Sequence, residues 1–257
     1  MRIARFITGE NPQYGILDED ADELVALRGD PIYGDLETTG QRVALDEVRL
    51  LSPVIPRSKV VGIGRNYADH AAEMGNEVPD EPLVFLKPNT SVIGPDDPIV
   101  LPAFSGEVHH EAELAVVISR LCKFVPAEKA SDVIFGYTVA NDVTARDVQR
   151  TDGQWTRAKG FDTSCPLGPY LALDLDVSDL AVRARVDGEL RQDGRTSQLV
   201  HKVPELIAYV SSIFTLLPGD VILTGTPAGV GPIDVGQRVE VEVEGIGAFS
   251  NPVVRRD

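Results

Sequence analysis

The run Leu114-Ala115-Val116-Val117-Ile118 limits the fold more than any other segment of the chain. It has no polar residue and is rich in β-branched ones, so it is a strand that must be buried. Glu111 and Glu113 stand at i and i+2 at its head. Side chains alternate between the faces of a strand, so these two point the same way, with Cα atoms roughly 7 Å apart. Downstream, Tyr137-Thr138-Val139-Ala140-Asn141-Asp142 ends a second strand-like run on a third carboxylate. Clustered carboxylates repel and raise one another's pKa. A hard divalent cation relieves that repulsion, and three carboxylates with open positions suit Mg²⁺ or Mn²⁺. Two glutamates at this spacing also suit an edge strand facing water. The buried run after them and the adjacent His109 and His110, ligands or rim residues, favour the cluster.

Short strands and glycine- or proline-rich turns follow one another along the chain. Arg2–Thr8 and Tyr14–Leu17 form a hairpin pattern around Gly9-Glu10-Asn11-Pro12, and Glu23–Leu27 and Arg42–Leu50 follow. Pro53-Val54-Ile55-Pro56 marks a boundary, so residues 1–55 are expected as a small β-rich N-terminal domain and 56–257 as the main body. There, strands are expected at Val60–Ile63, Leu83–Lys87, Leu114–Ile118, Ile134–Asn141, Tyr170–Ala172, Ala181–Val186, Asp220–Thr224 and Arg238–Val243. Two helices are expected. Asn66–Met74 is alanine-rich, and Lys202–Phe214 places Val203, Leu206, Ile207, Val210 and Ile213 on one face. The fold class is α+β, predominantly β, without βαβ alternation.

With 43% hydrophobic and 25% charged residues, the 257-residue chain has the composition of a soluble globular protein. A net charge of −16 argues against nucleic acid as a partner. No apolar run approaches the ~20 residues that span a bilayer. Cys122 and Cys165 make neither a disulfide framework nor a metal-binding spacing, and the chain starts without a signal-peptide core, so a cytoplasmic location is expected.

Other segments carry chemistry. Gly62-Ile63-Gly64-Arg65-Asn66-Tyr67 follows a strand, but Tyr67 stands where a dinucleotide fingerprint needs its third glycine and no βαβ unit surrounds it. The segment is better read as a turn opening the helix that carries His70 and Glu73. At i and i+3 these share a face, as a general-base dyad or as a solvated helix surface. If Asp142 starts a helical turn, Arg146 and Gln149 follow at i+4 and i+7 along one pocket wall; an ordinary surface pair has the same spacing. Arg157 and Lys159 flank the only tryptophan's loop. Gly225-Thr226-Pro227-Ala228-Gly229-Val230-Gly231 is a loop whose backbone N–H groups and Thr226 hydroxyl can approach an anion, though it lacks the lysine of a P-loop.

Taken in order, Asn66-Tyr67-x-x-His70-x-x-Glu73, Glu111-x-Glu113, Asn141-Asp142-x-x-x-Arg146-x-x-Gln149, Lys159-Gly160-Phe161-Asp162 and Gly225-Thr226-Pro227-x-Gly229 make the chain resemble the fumarylacetoacetate hydrolase family over residues 58–255. The resemblance implies a mixed β-roll that forms a homodimer. It implies Mg²⁺, Mn²⁺ or sometimes Ca²⁺ held by Glu111, Glu113 and Asp142, and a catalytic dyad of His70 and Glu73 on a lid segment. Lys159 and Thr226 would contact the substrate, with Arg146 and Gln149 lining the pocket. The substrate class would be a small oxo or hydroxydienoic acid passing through an enolate. Isomerisation in the manner of a 2-hydroxyhepta-2,4-diene-1,7-dioate isomerase is the favoured outcome. Acylpyruvate hydrolysis and oxaloacetate decarboxylation are the alternatives, and a metal-binding module without chemistry is the rival from another class.

Overall fold

The strand Ala112–Ile118 is buried at all its positions because its sheet is covered on both faces. Leu114, Val116 and Ile118 pack on one side with Val182, Ala184, Val239 and Val241. Ala115 and Val117 pack on the other with Leu167, Val221 and Leu223, where Leu27, Ile32 and Val54 close the layer. A continuous apolar run therefore serves two cores, one for each parity. The computed structural model describes residues 1–255.

The main sheet runs from edge to edge through Thr38–Ala44, Glu23–Leu27, Gln13–Asp18, Arg2–Ile7, Cys165–Ala172, Ile134–Asn141, Ala112–Ile118, Val221–Leu223, Val60–Gly64 and Leu83–Lys87. Most pairs are antiparallel, while Val221–Leu223 runs parallel to Val60–Gly64. A second sheet orders Glu189–Arg195, Ala181–Val186, Arg238–Val243, Gly247–Val254 and Ile99–Val100. The architecture is predominantly β in mixed sheets, as expected. The N-terminal strands keep a small cluster of their own, Ala4, Phe6, Leu24 and Val43. They also extend the main sheet, with Ile3 opposite Leu171.

Local differences have physical causes. The expected strand Arg42–Leu50 is broken by a 3-10 turn at Leu45–Glu47. The expected helix Asn66–Met74 is shorter, Ala68–Glu73. Tyr67 bridges Leu199 in extended form, and the Asn66 amide is tied to His201 and Thr224, so neither residue is free to coil. The longer helix forms over Val203–Ile213 and buries Val203, Leu206, Ile207 and Val210, while Ile213, expected on the same face, is exposed at its end. Asp142 does not start a helix: Thr144–Ala145 pairs with Val108–His109 as a strand, and the helix begins only at Arg146. Glu189–Arg195 and Gly247–Val254 are strands that local pattern does not reveal, since both are polar or glycine-containing.

Candidate active site

Strand register assembles the acidic centre. Ala112 lies opposite Asn141 and Glu113 opposite Ala140. The Asp142 N–H donates to the Glu111 carbonyl at 2.8 Å. The Glu111 N–H donates to the Asn141 side-chain oxygen at 2.9 Å. Carboxylate oxygens of Glu111, Glu113 and Asp142 consequently lie within 4.8 Å of one another. All three residues are buried, at 3%, 2% and 1% exposure.

Burying three carboxylates is costly unless cations face them. Lys159 Nζ donates at 2.7 Å to Glu111 and at 2.7 Å to Asp142. Lys87 Nζ, fully buried, donates to Asp142 at 2.6 Å and to the Lys159 carbonyl, so it also sets the Lys159 backbone. Arg146 binds Glu111 through one guanidinium nitrogen and Gln149 through another, at 2.7 Å. Burial works to raise the Glu111 pKa, but Lys159 and Arg146 outweigh it and hold the group below the usual carboxylate range. Burial works to lower the Lys159 pKa, but Asp142 and Glu111 keep it raised. Glu113 fares differently. Burial, then Asp142 and Glu111, push its pKa well above the ordinary value. Among the described residues no ammonium or guanidinium pairs with it, and its partner is the Gly225 N–H at 2.7 Å. An all-oxygen cluster with one uncompensated member fits a hard divalent cation, which would be held by Glu111, Glu113 and Asp142.

The glycine loop does approach anions, but they are the protein's own carboxylates. Gly225 has φ 104°, and a Cβ there would stand 2.8 Å from the Asn66 Cβ. Gly229, at φ 97°, donates its N–H to the Glu73 carboxylate at 3.1 and 3.2 Å. Glu73 in turn faces His70 Nδ1 at 3.4 Å. His70 is buried, and burial, partly offset by Glu111, lowers its pKa below the usual histidine value. The Thr226 hydroxyl donates to the Ala112 carbonyl at 2.8 Å and accepts from Gln192 Nε2 at 2.7 Å. Its proton is committed, so it lines the site as a fixed acceptor. His109 pairs with Glu107 at 3.0 Å and meets Arg146 at 3.4 Å, whereas His110 is buried against Gln192 at 3.1 Å. Neither histidine joins the acidic cluster.

Lys87 and Gln192 are polar groups that sequence reasoning did not single out, and Asn66 and Asn141 stood in its motifs without an assigned role. Gln192 also accepts the Ala112 N–H at 2.9 Å and donates to the Pro227 carbonyl at 2.7 Å, which ties the second sheet to the site. A lysine closing the otherwise apolar Leu83–Lys87 was the one local signal available.

A cavity of about 330 Å³ opens onto this centre. Glu111, Glu113, His70, Arg146, Gln149, Lys159 and Thr226 all line it, and Trp155 forms an apolar wall. A histidine, an acidic cluster that could hold a cation and fixed positive charges therefore share one chamber suited to a small anionic substrate.

Comparison with known proteins places this geometry among relatives. The family model described as fumarylacetoacetate hydrolase C-terminal matches residues 59–254, and a model for Rv2993c-like N-terminal segments matches residues 1–53. The structure of 5-carboxymethyl-2-hydroxymuconate delta-isomerase from Mycobacterium smegmatis is 50% identical, covering 100% of both chains at TM-score 0.92. That of 2-hydroxyhepta-2,4-diene-1,7-dioate isomerase from Mycobacterium marinum is 46% identical, covering 100% of this chain and 99% of its own at TM-score 0.90. Oxaloacetate tautomerase fahd2 of Xenopus laevis is 45% identical over 99% of this chain and 90% of its own length. A maleylpyruvate hydrolase from Sphingobium sp. SYK-6, solved with manganese(II) and pyruvate, is 33% identical over 100% of both chains at TM-score 0.82.

Proposed function

Because the chain belongs to the fumarylacetoacetate hydrolase family and is an enzyme of it, we propose that it is a divalent-metal-dependent isomerase of a small 2-hydroxydienoic dicarboxylic acid, of the 2-hydroxyhepta-2,4-diene-1,7-dioate type. The observation that carries this reading is the shared chamber: His70 and the glutamates of the acidic cluster line the same cavity. The two isomerase relatives at 46% and 50% identity support the reaction class.

The reaction moves one proton. The 2-hydroxyl proton leaves, C5 receives one, and the double bonds at C2–C3 and C4–C5 become a ketone at C2 and a double bond at C3–C4. Mg²⁺ or Mn²⁺, held by Glu111, Glu113 and Asp142, would supply Lewis-acid stabilisation of the enolate charge. The chain's own groups do the rest. His70, oriented through Nδ1 by Glu73, presents Nε2 as the atom that takes and returns the proton. Its lowered pKa keeps it neutral near pH 7. Lys159, pinned between Glu111 and Asp142, stands as a fixed cation beside the developing charge. Arg146, Gln149 and Thr226 define the wall against which the substrate is oriented. Trp155 narrows the access of water.

Oxaloacetate tautomerisation is the second reading, favoured by the relative at 45% identity, and it moves the 2-hydroxyl proton to C3 instead of C5 on a shorter diacid. The decisive measurement follows the ultraviolet absorbance of the dienoate with Mg²⁺ or Mn²⁺ present. Metal-dependent loss of the conjugated enol without C–C cleavage is expected. Enol–keto turnover confined to oxaloacetate would select the second reading, and release of pyruvate from an acylpyruvate would select hydrolysis. A cytoplasmic homodimer completes the proposal, to be checked by sedimentation velocity and cell fractionation.

A further inference from the structure

Four cationic side chains line the cavity: Arg65, Arg146, Arg150 and Lys159. Three of them are engaged with carboxylates of the protein. Arg146 and Lys159 hold Glu111, and Arg150 holds Glu107. Arg65 makes no ion pair and no hydrogen bond to any other described residue, although it is half-buried in the cavity wall. A guanidinium partly withdrawn from water and left without an anion is costly, and it is the group that binds a planar carboxylate in bidentate fashion.

The backbone supports a role for this position. Arg65 adopts φ 57°, the left-handed region that non-glycine residues enter only at a cost. It sits at the end of Val60–Gly64, where a glycine or asparagine would carry that conformation with less strain. The left-handed turn takes the chain out of the strand at the point where the Arg65 side chain meets the cavity.

The charge count of the interior points the same way. Glu111 and Asp142 are paired with Lys87, Lys159 and Arg146, and Glu113, which has no cation of its own among the described residues, brings the formal count to three of each sign. A divalent ion held there would add two positive charges, to be balanced by the carboxylate and the enolate oxygen of a 2-oxo acid. Arg65 lies outside this balance and is available to a second carboxylate.

We propose that Arg65 is the specificity residue that recognises the distal carboxylate, so that the enzyme selects dicarboxylic over monocarboxylic 2-oxo acids. The inference rests on the proposed function, because it assumes that a 2-oxo acid occupies the cavity. It adds which residue reads the far end of the substrate.

The test is binding, measured by titration calorimetry on the Mn²⁺-loaded protein. Two pairs matched in carbon count serve as probes: 2-oxoadipate against 2-oxohexanoate, and 2-oxoglutarate against 2-oxopentanoate. The wild type is expected to prefer the diacid of at least one pair by about tenfold or more, the range of a charge-assisted hydrogen bond. In Arg65→Gln that preference is expected to fall to within about threefold of unity, and Arg65→Lys to retain an intermediate preference. Thermal unfolding of each variant checks that it is folded. A preference unchanged in Arg65→Gln, or absent from the wild type for both pairs while all four acids bind, would overturn the assignment of Arg65 alone. If none of the four acids binds the loaded wild type, the proposed function falls and this inference falls with it.

Discussion

On the proposed reading His70 is the group that takes and returns the proton, and its environment then specifies a pH profile. Burial lowers its pKa from the ordinary 6.5, while the bond to Glu73 contributes in the raising direction. The neutral, proton-accepting form therefore prevails at pH 7, and the acid limb of kcat/KM should lie below pH 6.5. Glu73→Gln removes a raising contribution, so the limb should move further toward acid and kcat should fall about tenfold or more as the ring loses its orientation. A limb that moves toward neutrality would count against the dyad. The carboxylates give a different signature. Glu111→Ala and Asp142→Ala should each weaken Mn²⁺ binding by about a hundredfold or more, read by calorimetry, while His70→Ala binds metal normally. Lys87 is the third test. Its removal leaves Asp142 buried beside one cation instead of two, so Lys87→Met should cost about 3–5 kcal/mol in urea unfolding of the metal-free protein.

At the scale of elements, the loop Gly225–Gly229 converts backbone geometry into site geometry. A Cβ at Gly225 meets both a positive φ and the Asn66 Cβ at 2.8 Å. Gly225→Ala should therefore destabilise by about 1–3 kcal/mol and weaken metal binding, because the N–H that holds Glu113 shifts with it. Gly153→Ala, with no atom within 4 Å of the added Cβ, is the control and should change stability by less than about 0.5 kcal/mol. The same elements show how far the sequence can be read. Parity along Glu111–Ile118 was legible because a strand's period is local, and it placed the two glutamates on one face beside a buried run. Asp142 was legible as the end of a strand, but its neighbourhood was misread as helical because the pairing of Thr144–Ala145 with Val108–His109 is set by residues far away in the chain. Lys87 showed only as a lysine closing an apolar strand, and Gln192 was invisible, for the same reason. Their partners lie 55 and 80 positions distant, and a lysine or glutamine in an ordinary strand has no local mark of what it will touch. The motifs that carry the family resemblance fared better because each gathers several site residues within a few positions.

For the whole molecule, the acidic cluster is a place where folding and ligand binding share one free energy. The two hydrophobic clusters meet on opposite faces of Ala112–Ile118, and the three carboxylates stand where that strand and Ile134–Asn141 leave the core. Unfolding disperses the carboxylates, so a divalent ion held by them would bind the native state alone and stabilise it by mass action. At a free concentration one hundred times its dissociation constant, that stabilisation is about 2.7 kcal/mol. A chain of this size shifts its Tm by about 2–4 °C per kcal/mol, so Mn²⁺ should raise Tm by about 5–10 °C over the EDTA-treated protein. The shift should vanish in Asp142→Ala and persist in His70→Ala, which separates metal binding from catalysis in one set of melting curves. With a net charge of −16, part of any divalent-ion effect is nonspecific screening, which 0.15 M KCl largely supplies. A shift that survives in KCl at micromolar Mn²⁺ belongs to the cluster. Equal shifts in wild type and Asp142→Ala under those conditions would show that the ion binds elsewhere.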